Sequence, residues 1–361
     1  MFDIKFFRNV AGLKEKIVGG KMNKSDADTI LREFDALRDK KPFVFNIETT
    51  NYCNMRCVMC PRTTLMTRKN IWIDDEMFER VLDQMRPHSE EDLKIFWDFV
   101  YGKYNLDAET RSENGFYFHI SSRCVTLHGY GEPLLDKNII RRIDSCTKRN
   151  IPTYFSCVPA NIDLEKVEAL MQSGLTVLKF SIDALDDEKQ RQIRGRRANF
   201  HIAYEKILTV LDLKKAGGYK TMIVPTMIVM GTDESARAMH QEFLDLWKDK
   251  DVFAYVKSLD NRWLYQADSA LQNRSHYADQ YCEFPWTSLT VMADGSVVPC
   301  TQDYDAEMCM GNVNEQSLEE IWNSGKYAEF RRWHVTGEFP KGFKCAGRCD
   351  LKKLHSYLDK T

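Results

Sequence analysis

Between residues 43 and 258 the chain alternates short apolar, β-rich runs with helical patterns, and this alternation restricts its fold more than any other feature. The runs lie at 43–48, 125–128, 152–156, 177–182, 220–230 and 252–258. Helical spacing fills most of the intervals, over 75–85, 137–148, 164–172, 200–215 and 234–247. Strand, helix and strand in this order imply right-handed crossovers and a parallel sheet with helices outside, an α/β fold. Six such strands suit a partial (βα)6 barrel or an open α/β sheet better than a closed eight-stranded barrel.

The alternation has three interruptions. Residues 1–41 carry Ile30, Phe34 and Leu37 at helical spacing, with Ser25 or Asp26 as N-cap, and form a helical lead-in. Residues 87–123 are too long and too aromatic for a plain connection, and make an insertion in the barrel of 42–260. It either packs as an excursion with its own small core or contacts substrate. After residue 260 the pattern changes to a hairpin, with β-rich runs at 287–292 and 296–300 around Ala293, Asp294 and Gly295. A helix over 317–324 and a Gly, Lys and Cys-rich tail follow, so 261–361 reads as a separate small C-terminal unit.

Charge and hydropathy narrow the setting. The 51 basic and 53 acidic side chains nearly cancel, which argues against sequence-independent nucleic-acid binding. No apolar run reaches the ~18 residues of a spanning helix, and the first residues show no signal-peptide core, so the expected location is the cytoplasm and no membrane partner is expected. In that compartment eleven cysteines point to thiolate ligands or reactive thiols rather than to a disulfide framework.

Cys53, Cys57 and Cys60 follow the first strand in a Cys-x3-Cys-x2-Cys pattern, at the strand edge where α/β folds place their chemistry. Three thiolates on one loop can ligate three irons of a 4Fe-4S cluster and leave the fourth open, whereas structural zinc asks for four closed ligands. The stretch from Glu48 to Arg62 resembles the cluster loop of the radical S-adenosylmethionine (SAM) enzymes. That resemblance implies that SAM binds the open iron and is cleaved to methionine and a 5′-deoxyadenosyl radical. Met59 stands where the family usually has an aromatic residue, and is expected to pack on the adenine. The segment Gly129-Tyr130-Gly131-Glu132-Pro133 resembles the family's Gly-Gly-Glu-Pro element, with Gly131 giving close approach to the ligand and Glu132 receiving the SAM amino group. Ser181 and Asp183 resemble its ribose-side Ser-x-Asp element, and Arg194 fits the arginine that pairs with the SAM carboxylate.

Cys282, Cys300, Cys345 and Cys349 resemble the ligand set of the C-terminal twitch and SPASM auxiliary-cluster domains, and the small cysteine count favours the one-cluster twitch form. Four thiolates would also close a zinc site. The implied cofactors are SAM and two 4Fe-4S clusters, with flavodoxin or ferredoxin as electron donor.

An auxiliary cluster that accepts an electron implies dehydrogenation of a small polar substrate, such as a sugar or aminocyclitol, by a radical SAM oxidoreductase. Epimerisation is the alternative, with Cys157 or Cys309 returning hydrogen to the carbon radical. Peptide modification is another, but the forty residues before the first strand are too few for a leader-binding domain. An iron-sulfur or zinc protein without SAM catalysis would use the same cysteines. Asp303 and Arg262 are candidate bases by neighbourhood alone, Cys124 and Cys146 are inert core thiols, and His128 is assigned to the core.

Overall fold

The computed structural model describes residues 1–22, 24–104, 111–228, 233–257 and 282–345. Six parallel strands run in order across it: β1 (Val44–Ile47), β2 (Val125–Thr126), β3 (Thr153–Cys157), β4 (Val177–Ser181), β5 (Met222–Ile228) and β6 (Tyr255–Lys257). All six appear where the apolar runs place them, and helices Asp75–Leu82, Ile139–Lys148, Leu164–Gln172, Phe200–Gly217 and Glu234–Trp247 fill the expected intervals. Aspartates at 74, 163 and 233 and Asn199 cap four of these helices by accepting a backbone N–H, a local signal that fixes where each begins. The strands are short and apolar because both faces are covered; Phe155, Leu178, Phe180 and Ile223 are fully buried, and each such side chain contributes about 1.5–3 kcal/mol.

The C-terminal hairpin forms as its Asp-Gly turn dictates, with Gly295 at a φ of +84°. Its strands β7 (Leu289–Val291) and β8 (Ser296–Val298) are joined by β9 (Gly311–Asn312). β7 lies parallel to β1, with Val44 opposite Leu289 and Ile47 opposite Val291, so the hairpin continues the barrel sheet past β1. Helix Leu318–Trp322 starts at a Ser317–Glu320 capping box, as its sequence indicates. Two helices were not expected: Asp187–Arg194, which follows β4, and Gly325–Thr336 in the tail.

The insertion packs on the lead-in and also lines the barrel interior. Its helices are Glu90–Tyr104 and Glu113–Arg123. Phe96 packs edge-on against Phe2 and Phe7 of the lead-in and Phe118 against Phe7, with ring centroids 5.5–5.9 Å apart. The opposite face of the second helix enters the barrel, where Phe116 meets Tyr154 of β3 at 5.6 Å and Tyr255 of β6 at 5.1 Å. This ring floors the barrel cavity.

The lead-in packs on the C-terminal region. Ile30 and Phe34 of helix Ala27–Leu37 are buried, and Phe34 stands edge-on to Trp286 at 4.9 Å. Asp26 precedes this helix but its side chain makes no cap bond, because a 3-10 turn over Lys24–Asp26 leads in instead. Lys14 is buried and pairs with Glu283, the neighbour of Cys282.

Candidate active site

The cysteine loop is held from two sides by backbone. Arg56 and Val58 donate to the carbonyls of Arg194 and Ile193 at 3.3 and 2.9 Å, and Glu132 donates its N–H to the Tyr52 carbonyl at 2.8 Å. Gly195 makes the first approach possible: at a φ of +97°, a Cβ there would lie 3.3 Å from the Arg56 nitrogen. Gly131 makes the second possible, since a Cβ would fall 2.1 Å from the Thr50 carbonyl oxygen. Gly131 therefore serves loop-to-loop contact, and it also lines the cavity beside the cysteine loop.

Cys53, Cys57 and Cys60 line one side of a cavity of about 230 Å³, together with Met59, Gly131, Glu132, Ser181 and Arg194. The Cys53 Sγ accepts the Met55 N–H at 3.4 Å, and burial pushes its thiol up to about 12. Burial likewise raises Cys57, opposed by the nearby Arg194 charge, whose Nη1 lies 3.7 Å from the sulfur. Among the described residues no three His, Cys, Asp or Glu side chains close on one point as a single metal ion requires. Three separated thiols around an open cavity, with no fourth protein ligand, fit a cluster with a free corner. Iron binding would expel the thiol protons that burial otherwise retains.

Glu132 is fully enclosed, accepting from Leu134 N–H at 3.2 Å and Val158 N–H at 2.9 Å. Burial pushes its carboxyl up to about 7 in spite of those bonds, so a ligand ammonium at this point would find an acceptor that gains from ionising. Arg194 stands across the cavity. Burial works against its charge, but the Asp183 carboxylate and the Cys57 sulfur hold the guanidinium above its ordinary value.

Asp183 is placed differently from its expected ribose-side role. It is fully buried, does not line the cavity, receives Arg194 Nε on one oxygen and accepts the Ile228 N–H at 3.1 Å on the other. It holds the Arg194 guanidinium from behind. Ser181 does line the cavity, with its Oγ 3.2 Å from that of Ser156. Gln190, from the unexpected helix, accepts the backbone N–H groups of Asp183 and Ala184 at 3.0 Å each and secures this corner.

A second cavity of about 170 Å³ adjoins the first inside the barrel, and both are lined by His128, Gly129, Tyr130, Lys179 and Lys257. That volume holds many waters, enough for a small metabolite. His128 is thus a cavity residue, not a core one. Its Nδ1 accepts the Ser156 N–H at 3.2 Å, which assigns the ring proton to Nε2 and makes the neutral ring a donor there. Lys179 shares the inward face of β4 with Ser181, and a lysine alternating with apolar residues in a strand was the sequence signal for it. The far wall includes Thr301 and Gln302, which follow Cys300. Tyr130 reaches them, donating its hydroxyl to the Thr301 carbonyl at 2.9 Å.

A buried ion pair ties the two cysteine regions together. Arg68 meets Glu48 with two parallel bonds of 2.8 and 2.7 Å, and its Nε donates to the Tyr304 carbonyl at 2.7 Å. Gly129 leaves room for this pair, since a Cβ would lie 2.6 Å from Glu48 Oε1. Neither Arg68 nor Gly129 was singled out in the sequence for this purpose.

Cys282, Cys300 and Cys345 are all buried. Tyr327 is within electrostatic reach of Cys282 and Cys300, and the Cys345 Sγ lies 3.8 Å from Met308 Sδ. Cys349 and Arg262 lie outside the described residues. Asp303 lines neither cavity, and its oxygens accept the Glu307 and Met308 N–H groups at 2.9 and 2.7 Å, bracing the loop after Cys300. Cys309 also lines neither cavity, and its thiol donates to the Gly311 carbonyl at 3.3 Å. Cys157 does line the cysteine-loop cavity, and burial, followed by the Glu132 charge, keeps its thiol protonated.

The Radical SAM superfamily model matches residues 47–244 of the chain, and the model of the SPASM iron-sulfur cluster-binding domain matches residues 282–350. The chain belongs to the radical SAM superfamily and is an enzyme, a radical SAM oxidoreductase whose cofactors are SAM, a 4Fe-4S cluster and auxiliary iron-sulfur. Iron-sulfur therefore replaces zinc for the second cysteine set. The chain is similar to an S-adenosyl-L-methionine-dependent 2-deoxy-scyllo-inosamine dehydrogenase of Niallia circulans, 23% identical over 310 residues, or 85% of this chain and 92% of that protein. It is also similar to a tungsten-containing aldehyde ferredoxin oxidoreductase cofactor-modifying protein of Pyrococcus furiosus, 22% identical over 348 residues, covering 85% and 88%. The crystal structure of Streptococcus suis SuiB bound to precursor peptide SuiA shares the fold, with a TM-score of 0.58 at 14% identity, covering 91% of this chain and 74% of that one. Enzymes of this class act on small-molecule substrates and need a reductant. Among the described residues no helix is long and apolar enough to cross a membrane.

Proposed function

We propose that the protein dehydrogenates a carbon bearing a hydroxyl or amino group on a small polar substrate such as a sugar or aminocyclitol, with SAM as oxidant. One observation carries this reading: the barrel cavity runs from the walls it shares with the Cys53–Cys57–Cys60 site to the loop that follows Cys300. A substrate there would lie between both cysteine sets. When bound, SAM and its cluster would supply the radical that removes one hydrogen atom from carbon, the auxiliary cluster would take up the second electron, and the proton of the hydroxyl or amine would leave to solvent. The similarity to an aminocyclitol dehydrogenase over most of both chains supports the same reaction type.

Within this reading, Cys53, Cys57 and Cys60 hold the SAM cluster, and Cys282, Cys300, Cys345 and Cys349 hold the auxiliary one. Glu132 takes the SAM amino group and Arg194, steadied by Asp183, its carboxylate. Met59 and Ser181 line the remaining cavity wall. Residues 42–260 form the barrel unit, 261–361 the auxiliary unit, and a flavodoxin or ferredoxin in the cytoplasm supplies the first electron.

The test uses the anaerobically reconstituted protein with SAM, a flavodoxin system and candidate aminocyclitols and sugars deuterated on carbon. Dehydrogenation predicts one deuterium in 5′-deoxyadenosine for each carbonyl or imine formed. Absence of 5′-deoxyadenosine with every reductant would overturn the enzyme reading. Epimerisation has one observation in its favour, the protonated Cys157 thiol in the cavity. Solvent deuterium appearing in an inverted product, lost in Cys157→Ala, would select it over dehydrogenation.

A further inference from the structure

Gln302 is the residue of the barrel cavity whose arrangement the fold does not explain. It is 8% exposed and lines the cavity wall, and its Oε1 is buried with no hydrogen-bond partner. Buried polar atoms are nearly always satisfied, so an orphan in a cavity marks a place for a missing partner. Its backbone, by contrast, is fixed at three points. The N–H donates to the Cys300 Sγ at 3.4 Å, and the carbonyl accepts from Tyr304 N–H at 2.9 Å and from the Tyr130 hydroxyl at 3.4 Å. The side chain is therefore delivered to the cavity by the loop that carries Cys300, and local structure makes no demand on its amide.

The walls around it define what it would meet. Phe45, Tyr117, Tyr154 and Phe284 give flat apolar surface, while Lys179 and Lys257 stand at the end shared with the cysteine-loop cavity. Glu48 and Glu113 line the same cavity, so its walls carry both signs and select no strongly charged ligand. Flat walls with a neutral amide at the other end suit a ring with apolar faces and hydroxyl edges. A hydroxyl both donates and accepts, so it can engage either end of an amide.

We propose that Gln302 is a substrate-specificity residue, whose side-chain amide holds a hydroxyl of a neutral cyclic polyol at the Cys300 end of the barrel cavity. This rests on the reading of that cavity as the substrate chamber. The ring would be held against the loop of an auxiliary ligand, which places its hydroxyl-bearing carbons on the side where an electron must leave.

The experiment reads binding, not turnover. Thermal unfolding of the reconstituted full chain is followed with SAM present and myo-inositol as the probe, for wild type, Gln302→Met and Gln302→Glu. Myo-inositol should raise the wild-type midpoint in a saturable way. Gln302→Met should unfold at or above the wild-type temperature without the probe, because it removes an unsatisfied buried atom, yet bind myo-inositol about tenfold more weakly. Gln302→Glu, which keeps an acceptor, should retain most of the binding. A Gln302→Met protein less stable than wild type without probe, an unchanged dissociation constant, or no effect of myo-inositol on any of the three would overturn the assignment. Binding through Gln302 without any oxidation of hydroxyls would instead break the proposed dehydrogenation and leave this role standing.

Discussion

Under the proposed ligand assignment, the two cysteine regions would present thiols to iron in opposite ways. Cys53, Cys57 and Cys60 sit within a single loop, and backbone bonds from Tyr52, Arg56 and Val58 fix that loop against neighbouring segments. Cys282, Cys300 and Cys345 come from three separate segments, with Cys300 just after the hairpin that extends the sheet past β1, Cys282 and Cys300 within electrostatic reach of Tyr327, and Cys345 beside Met308. The first site is local and needs the barrel only as a platform. The second depends on distant segments, including the lead-in, whose Lys14 is buried against Glu283. The Glu48–Arg68 pair and the Tyr130 hydroxyl fasten one to the other.

The most severe test of this contrast exchanges one thiol from each region. Cys57→Ala should abolish SAM cleavage, whereas Cys345→Ala should keep SAM cleavage to 5′-deoxyadenosine and lose substrate oxidation. Each should lose about four irons per chain by iron analysis. Equal loss of SAM cleavage in both would show that the regions are not separable.

A smaller effect is expected at the corner that steadies the local site. Asp183→Asn leaves the buried Arg194 charge without its carboxylate, which should cost about 3–5 kcal/mol in urea unfolding. SAM affinity should fall with it, because Arg194 loses its orientation. A variant with wild-type stability and SAM binding would remove Asp183 from the site.

Glu132 gives a pH signature that the second region lacks. Its carboxyl is raised to about 7 in the folded, ligand-free protein from its ordinary value of 4.5. The folded state therefore holds a proton that the unfolded chain has released, and stability from this group is present at low pH and declines as pH rises from about 4.5 to 7. The total change is on the order of 3 kcal/mol, and Glu132→Gln should flatten it in pH-dependent urea unfolding. SAM binding should follow the opposite course, tightening as pH rises through 7, because its ammonium pairs with the ionised carboxylate. Tighter SAM binding at pH 6 than at pH 8 would refute that pairing.

The mildest change severs the link between regions. Tyr130→Phe removes a partly buried hydroxyl bond to Thr301 and should cost about 1 kcal/mol. SAM cleavage without substrate should persist, while the coupling of SAM cleavage to product formation should drop. Unchanged coupling would show that Glu48–Arg68 alone keeps the two loops in register.

Much of the fold was legible because its signals are local. Short apolar, β-rich runs marked all six barrel strands, and helical spacing marked the helices between them. Helix Asp187–Arg194 was missed because it is strongly polar and presents little apolar periodicity, although Gln190 and Arg194 are buried. The tail helix Gly325–Thr336 was hidden by its glycine start and by a nearly uniform mix of aromatic and charged residues. In the site, the cysteines and Glu132 were legible as residue types in order. The roles of Asp183, Gly131, Asp303 and Cys309 were not, because each depends on which neighbour occupies the adjacent space.

The sequence alone determined the alternating α/β framework, the spacing of the three-cysteine loop and the order of the segments that follow it, since periodicity, capping and ligand spacing act over a few residues. The tertiary structure alone decided that Arg194 turns to Asp183, that His128 and Lys179 face the cavity and that the insertion floors it. It also decided that β7 extends the sheet beyond β1 and brings Cys300 and Gln302 to the end of that cavity. Strand order and side-chain partnership between distant segments are set by the free energy of burying all the faces together, and no single segment carries that information.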